Sequence, residues 1–143
     1  MIDYKRTILN LNSILLETRQ IPKHSSLYGL IMYENGLFSY ILIPNTVIKG
    51  KIFFSNFYKN LNIGNYVPLI KSPHGMQVYN VELKLGFGGQ IARAAGSFVK
   101  ILNKFPTKYN KLLVQLKSGE QYLIHKNCGA TIGVAGNINH WLK

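Results

Sequence analysis

The chain has 143 residues, with 17 basic against 5 acidic side chains and a net charge of +12 without histidine, a length that allows one ordinary domain or two very small ones. With 47% hydrophobic, 12% aromatic and only 15% charged residues, it forms a core under a one-signed surface, which excludes a disordered basic tail. The longest nearly apolar stretch, Gly36 to Pro44, is far short of the ~20 residues of a membrane-spanning helix.

The opening Met1-Ile2-Asp3-Tyr4-Lys5-Arg6 enters structure-like sequence at once, without an apolar or arginine-rich leader, so no import signal is expected. Short runs of alternating apolar and polar residues then predict strands at Ser13 to Gln20, Leu27 to Glu34, Leu37 to Ile43, Gln77 to Leu83, Phe98 to Phe105, Lys111 to Lys117 and Gln121 to His125. Asn35-Gly36 predicts a type I′ hairpin turn, in which both residues take positive φ, and Lys117-Ser118-Gly119-Glu120 predicts a second tight hairpin. Gly64, Asn65, Pro68 and Pro73 punctuate the middle of the chain and place a boundary near Ile63, with a small barrel on each side. The first part, through Ile70, carries +4 and the remainder +8, so the second is the stronger polyanion grip. Gln90 to Asn103 reads equally as a helix, with Ile91, Ala94, Ala95, Phe98, Ile101 and Leu102 at helical spacing, or as a loop followed by a strand.

Nucleic acid is favoured over an anionic membrane as the polyanion, because lysine is evenly spread and no amphipathic helix is legible. The densest motif is Gly86-Phe87-Gly88-Gly89-Gln90, leading to Arg93. Glycines without Cβ allow backbone N–H groups to approach phosphate closely, so a cradle for a nucleic-acid strand is preferred and a purely structural turn is the competing reading. The loop lacks the Gly-Lys-Ser/Thr ending of a nucleotide-binding loop and the dinucleotide spacing. His125 and Cys128 are three residues apart, but only distant His140 accompanies them, too few ligands for a zinc site, and no metal or cofactor is expected. The acids stand singly, with Glu82 expected to pair with Lys84 or Arg93, so no acid–base pair and no enzyme is legible. Most of Tyr66, Tyr79, Phe87, Phe98, Tyr109, Tyr122 and Trp141 are expected in the cores, the others being free to stack on bases. Cys128, the single cysteine, has no internal disulfide partner, which favours a reducing compartment. Ile, Asn, Lys, Tyr and Phe exceed two fifths of the chain, a bias toward AT-rich codons.

From Ile63 onward, Gly64-Asn65, Pro68-Leu69, Pro73-x-Gly75, Val78-x-Asn80-Val81-Glu82, the run Gly88 to Gly96, Ser118-Gly119-Glu120, Cys128 to Gly133, Gly136-Asn137 and His140 stand in an order and spacing that resemble the universal large-subunit ribosomal protein two family, in its bacterial and organellar form. Asp3-Tyr4-Lys5-Arg6 and Tyr40 to Pro44 are similar to segments of its first half, so the resemblance covers the chain. It implies an all-β protein, an OB-fold barrel at residues 1–63 followed by an SH3-like barrel at 64–143, and it favours loop and strand over helix at Gln90 to Asn103. It also implies a structural constituent of the large subunit that binds large-subunit rRNA early, in assembly and at the subunit interface near the peptidyl transferase region. Neighbouring ribosomal proteins are its further partners, with no membrane among them.

The resemblance matches the central two-barrel body. Flanking family extensions are expected to be absent, with a separately encoded C-terminal fragment of the same family as one partner this allows. The C-terminal extension carries a glycine-rich, histidine-bearing loop, for which His140 is no substitute. Lys84-Leu85-Gly86-Phe87 departs from the family's Lys-Pro-Gly-Lys, and Gly129 stands where arginine is usual. The expected rRNA contacts are cationic at Lys5, Arg6, Lys71, Lys84, Arg93, Lys100 and Lys126, polar at His74, Asn80, Gln90 and Asn137, and backbone at Gly88 and Gly89. With the codon bias, a mitochondrial or similar organellar ribosome is the expected location. A free-standing nucleic-acid binder and a nucleotide-using enzyme built on the Gly86–Gly89 loop remain the alternatives.

Overall fold

A computed structural model describes residues 2–6, 10–45, 47–55, 61–103 and 110–139. The architecture is all-β. Four strands, β1 (Asn12–Gln20), β2 (Leu27–Tyr33), β3 (Phe38–Leu42) and β4 (Ile52–Phe54), form an antiparallel sheet in the order β3-β2-β1-β4. In the second part, β5 (Tyr66–Pro68), β6 (Gln77–Tyr79), β7 (Val81–Glu82), β8 (Gly89–Ile91), β9 (Val99–Asn103), β10 (Lys111–Leu116), β11 (Gln121–His125) and β12 (Gly129–Ile132) make a six-stranded sheet, β11-β10-β9-β6-β12-β5, and a two-stranded ribbon of β7 and β8. A 3₁₀ turn, Leu69–Lys71, follows β5.

Both predicted hairpins form, by a turn different from the one expected for Asn35-Gly36. Only Gly36 takes a positive φ, +86°. Tyr33 O accepts from Gly36 N while Tyr33 N donates to Leu37 O, the pattern of a three-residue loop with a glycine bulge. The Asn35 side chain closes it by accepting from Leu37 N at 3.1 Å. Leu116, Gly119 and Glu120 repeat the same pair of backbone bonds, with Gly119 at φ +99°.

The strand expected at Gln77 to Leu83 is broken. Asn80 adopts φ +52° and gives its N–H to Ala92 O, which separates β6 from β7 and turns the ribbon out of the larger sheet. Gln90 to Asn103 contains the end of β8, a turn at Ala94–Ser97 and the strand β9, so the helical reading does not hold. The end of the strand expected to reach Phe105 lies outside the described residues.

Two apolar cores follow from the alternation. Leu15, Ile31, Tyr33, Ile41, Ile43 and Phe53 fill one, and Val78, Val81, Val99, Ile101, Leu112, Val114 and Ile124 belong to the other, with Cys128 among them as a small apolar filler. A third cluster, Tyr28, Leu42, Tyr79 and Ala135, draws from both sheets. It is tied by Tyr79 Oη donating to Leu42 O at 3.0 Å and Gly136 N to Ile43 O at 3.0 Å. Tyr66 and Tyr79 are thus core residues, whereas Phe87 and Tyr122 are exposed and Phe98 is half-buried. Tyr109 and Trp141 lie outside the described residues.

Candidate nucleic-acid interface

The glycine loop between β7 and β8 is held from beneath by one carboxylate. Glu82, at the end of β7, is buried; its Oε2 accepts from Gly86 N and Gly88 N, each at 3.0 Å, and its Oε1 accepts from Gly129 N at 2.7 Å and Tyr66 Oη at 3.2 Å. The expected ion pair with Lys84 or Arg93 is replaced by hydrogen bonds to neutral donors, which satisfy a buried carboxylate without a cation. Phe87 N donates to Lys84 O and Gly89 N to Tyr4 O. All four N–H groups of residues 86–89 are therefore spent inside the protein, so the structural-turn reading of this loop replaces the phosphate cradle expected from Gly88 and Gly89. Close packing explains the glycine at 89, where a Cβ would stand 1.8 Å from Asn80 Oδ1. At Gly129 a Cβ would meet Tyr66 Oη at 1.7 Å, so the Tyr66 ring occupies the space that a side chain at 129 would need.

Next to this loop the chain builds a cationic platform. Arg93 lies with its guanidinium carbon 4.4 Å from the centroid of the Tyr4 ring, a cation–π arrangement that fixes a flexible side chain. Its backbone carbonyl accepts from Ser26 Oγ, and Ala95 N donates to Ser25 Oγ at 3.0 Å. The loop that follows β1 therefore sets the position of an exposed arginine some seventy residues away. A cleft of about 690 Å³ opens beside it, walled by Ile2 to Lys5, by Leu37 to Ser39 at the start of β3, and by Phe87 to Gln90 with Arg93.

The structure divides the sequence-predicted contacts. Lys5, Gln90 and Arg93 meet at the cleft, exposed, with Gly88 and Gly89 in its wall. Lys84 is exposed at the start of the glycine loop. Lys71 is exposed and Lys126 half-buried, a backbone bond from Ile70 N to Lys126 O draws their segments together, and neither lysine lines the cleft. His74 and Lys100 are exposed beside the pairing of Gly75 N with Ile101 O. Asn137, half-buried, donates to Ser25 O at 2.8 Å.

Arg6 and Asn80 lie inside. Arg6 is 1% exposed, donating from Nη2 to Ser55 Oγ at 2.8 Å and from Nη1 to Gly64 O at 3.3 Å. Asn80 is 2% exposed and donates to Tyr4 O at 3.0 Å. Their polar groups face the protein because each bridges segments far apart in sequence, which the residue type alone does not reveal. Sequence reasoning also missed Tyr4 and the Ser25-Ser26 pair as supports of Arg93. Asn80-x-Glu82 ahead of closely spaced glycines was the legible signal for the carboxylate beneath the loop.

His125 Nδ1 accepts from Asn127 N at 3.1 Å, and no group of three or more metal-ligating residues gathers among the described residues. Burial, reinforced by the nearby Glu82 carboxylate, pushes the Cys128 thiol up from 9.0 to about 11. At pH 8 its thiolate fraction is therefore about 100-fold below that of a free thiol, and a thiolate-selective disulfide reagent should leave the folded protein unlabelled until denaturant is added. Rapid labelling of the native protein would contradict the burial. The proton is held more tightly in the folded state, so this contribution to stability is complete below pH 9 and is lost between pH 9 and 11. Buried Tyr28, Tyr66 and Tyr79, all shifted upward by burial, act in the same direction.

Residues 62–143 match the family described as Ribosomal Proteins L2, C-terminal domain. The chain is 41% identical over 142 residues to the large ribosomal subunit protein uL2 of Buchnera aphidicola subsp. Cinara cedri, covering 99% of this chain and 51% of that protein. It is 36% identical over 140 residues to uL2 of Rhodopseudomonas palustris strain BisB18, covering 98% and 50%, and 35% identical to uL2 of Afipia carboxidovorans, covering 98% and 49%. The chain spans about half the length of the curated relatives it matches. With more than half of its residues under the family's model and 98–99% of the chain aligned to these relatives, the chain belongs to the ribosomal protein L2 family.

Proposed function

We propose that the chain is a structural, non-catalytic constituent of a large ribosomal subunit that binds large-subunit rRNA, supporting assembly and the subunit interface near the peptidyl transferase region. The observation that carries this reading is Arg93, held over Tyr4 and beside Lys5 and Gln90 at an open cleft, in a family member with a charge of +12. A fixed guanidinium presents a planar fork to phosphate oxygens at little further entropic cost. Residues 1–63 then act as an OB-fold module and 64–143 as an SH3-like module, in keeping with strands that pair separately within each part. Neighbouring ribosomal proteins complete the partners. The AT-rich codon bias supports a mitochondrial or similar organellar ribosome.

A tagged copy expressed in the source cells should sediment with large subunits and crosslink to their rRNA, in the organelle fraction. A chain that stays at the top of the gradient would overturn the reading in favour of a free-standing binder, and saturable mononucleotide binding would favour the enzyme. In vitro, Arg93→Ala combined with Lys84→Ala should weaken rRNA binding and flatten its salt dependence by about 0.7–0.9 log unit per lost phosphate contact. An unchanged slope removes both residues from the interface.

A further inference from the structure

We infer that the cleft beside the glycine loop seats an unpaired nucleobase, with Phe87 and Phe38 as its stacking faces. The inference rests on the rRNA-binding reading and narrows the kind of RNA involved, to a strand with a looped-out nucleotide. Phe38 is 61% and Phe87 66% exposed, and both line the same cleft. Two phenylalanines left open at one concavity mark a surface that is completed by a partner. Phe87 is also held in place: glycines at φ +83° and +84° flank it, their N–H groups are fixed to the Glu82 carboxylate, and its own N–H bonds to Lys84 O. A ring on an anchored loop loses little freedom when a base stacks on it.

The remaining walls choose the occupant. Lys5 and Arg93 bring positive charge to the rim, and the one acid in the wall, Asp3, accepts from Lys5 N at 3.1 Å. An apolar peptide would use the rings and leave the cations without a counterpart, whereas a nucleotide uses both through its base and its phosphates. Gln90 supplies the donor and acceptor that a base edge needs. About 690 Å³ lies within the roughly 300–1,000 Å³ of small-ligand clefts. Bases inside an A-form duplex are already stacked and offer these rings nothing, so the occupant is an extruded base.

The test uses two RNA stems with the same number of base pairs, one fully paired and one with a single bulged 2-aminopurine, which differ in charge by that one nucleotide's phosphate. The protein should quench the 2-aminopurine and bind the bulged stem about tenfold or more tightly than the paired one, the range of a single base–aromatic stack. Phe87→Ala and Phe38→Ala should each reduce that preference several-fold without changing affinity for the paired stem, and Phe87→Tyr should restore it where Phe87→Leu does not. Both rings are exposed, so thermal melting of the variants should match the parent protein. Equal binding of both stems by the parent protein, or a bulge preference that survives Phe87→Ala, overturns the nucleobase seat and leaves rRNA binding standing. An apolar peptide as the true occupant would give that same result. If neither stem binds even at low salt, both readings fall.

Discussion

Replacing Glu82 with alanine is expected to lower stability by about 3–5 kcal/mol, the range for breaking a buried hydrogen-bond network. One carboxylate joins four places: Gly86 and Gly88 of the glycine loop, Gly129 at the start of β12, and Tyr66 of β5. Alanine strands two buried N–H donors, of Gly88 and Gly129, and the buried Tyr66 hydroxyl, where each unmade bond costs about 1–3 kcal/mol, not fully additively, while the part-buried Gly86 N–H can turn to water. Glu82→Gln retains the volume but only one acceptor oxygen. Tyr66 Oη can rotate to accept from the new amide, yet Gly129 N–H shares that position and Gly86 and Gly88 N–H share the other, so one set of donors always faces a donor. Its expected cost is about 2–3 kcal/mol. Urea unfolding of the three proteins measures both values, and a loss below about 1 kcal/mol in Glu82→Ala would mean that the loop does not depend on this carboxylate.

What the sequence disclosed was local. The hairpins at Gly36 and Gly119 were legible because turn chemistry sits in four adjacent residues, β1, β2 and β10 because burial alternates along part of each, and β3, β9 and β11 because they are runs rich in apolar residues. The short strands were not. All three residues of β5 and all four of β12 are buried, so no alternation marks them, and β4 and β8 are three residues each. The break at Asn80 depends on acceptors at Tyr4 and Ala92 that no window around residue 80 contains. In the same way, the glycines of the loop announced a close approach, but whether that approach was to a phosphate or to the protein was decided by Glu82 and Tyr4. Lysine was the easier case: Lys5, Lys71, Lys84 and Lys100 are on the surface, where a hydrated ammonium belongs. Arginine was not, since Arg93 and Arg6 share a charge and have opposite placements.

That contrast yields the second large effect, at Arg6. Arg6→Ala is expected to cost about 3–5 kcal/mol, because it opens a cavity and removes the donors of Ser55 Oγ and Gly64 O, which tie the opening segment to residues about fifty and sixty positions away. Arg6→Met should cost much less, about 1 kcal/mol, since methionine fills the channel and ends the burden of a desolvated cation whose Nε has no hydrogen-bond partner. The guanidinium also sits 5.9 Å from the centroid of the Tyr66 ring, a face that the methionine thioether packs against well. Measured below its melting temperature, Arg6→Met should retain the parent's salt slope for rRNA, because a side chain enclosed by protein reaches no phosphate. Arg93→Ala should lose about 0.7–0.9 log unit from that slope at almost no cost in stability. If Arg6→Met flattened the slope as Arg93→Ala does, the buried cation would have to emerge on binding, and the opening segment would be part of the RNA-contacting surface instead of the clasp between the two sheets.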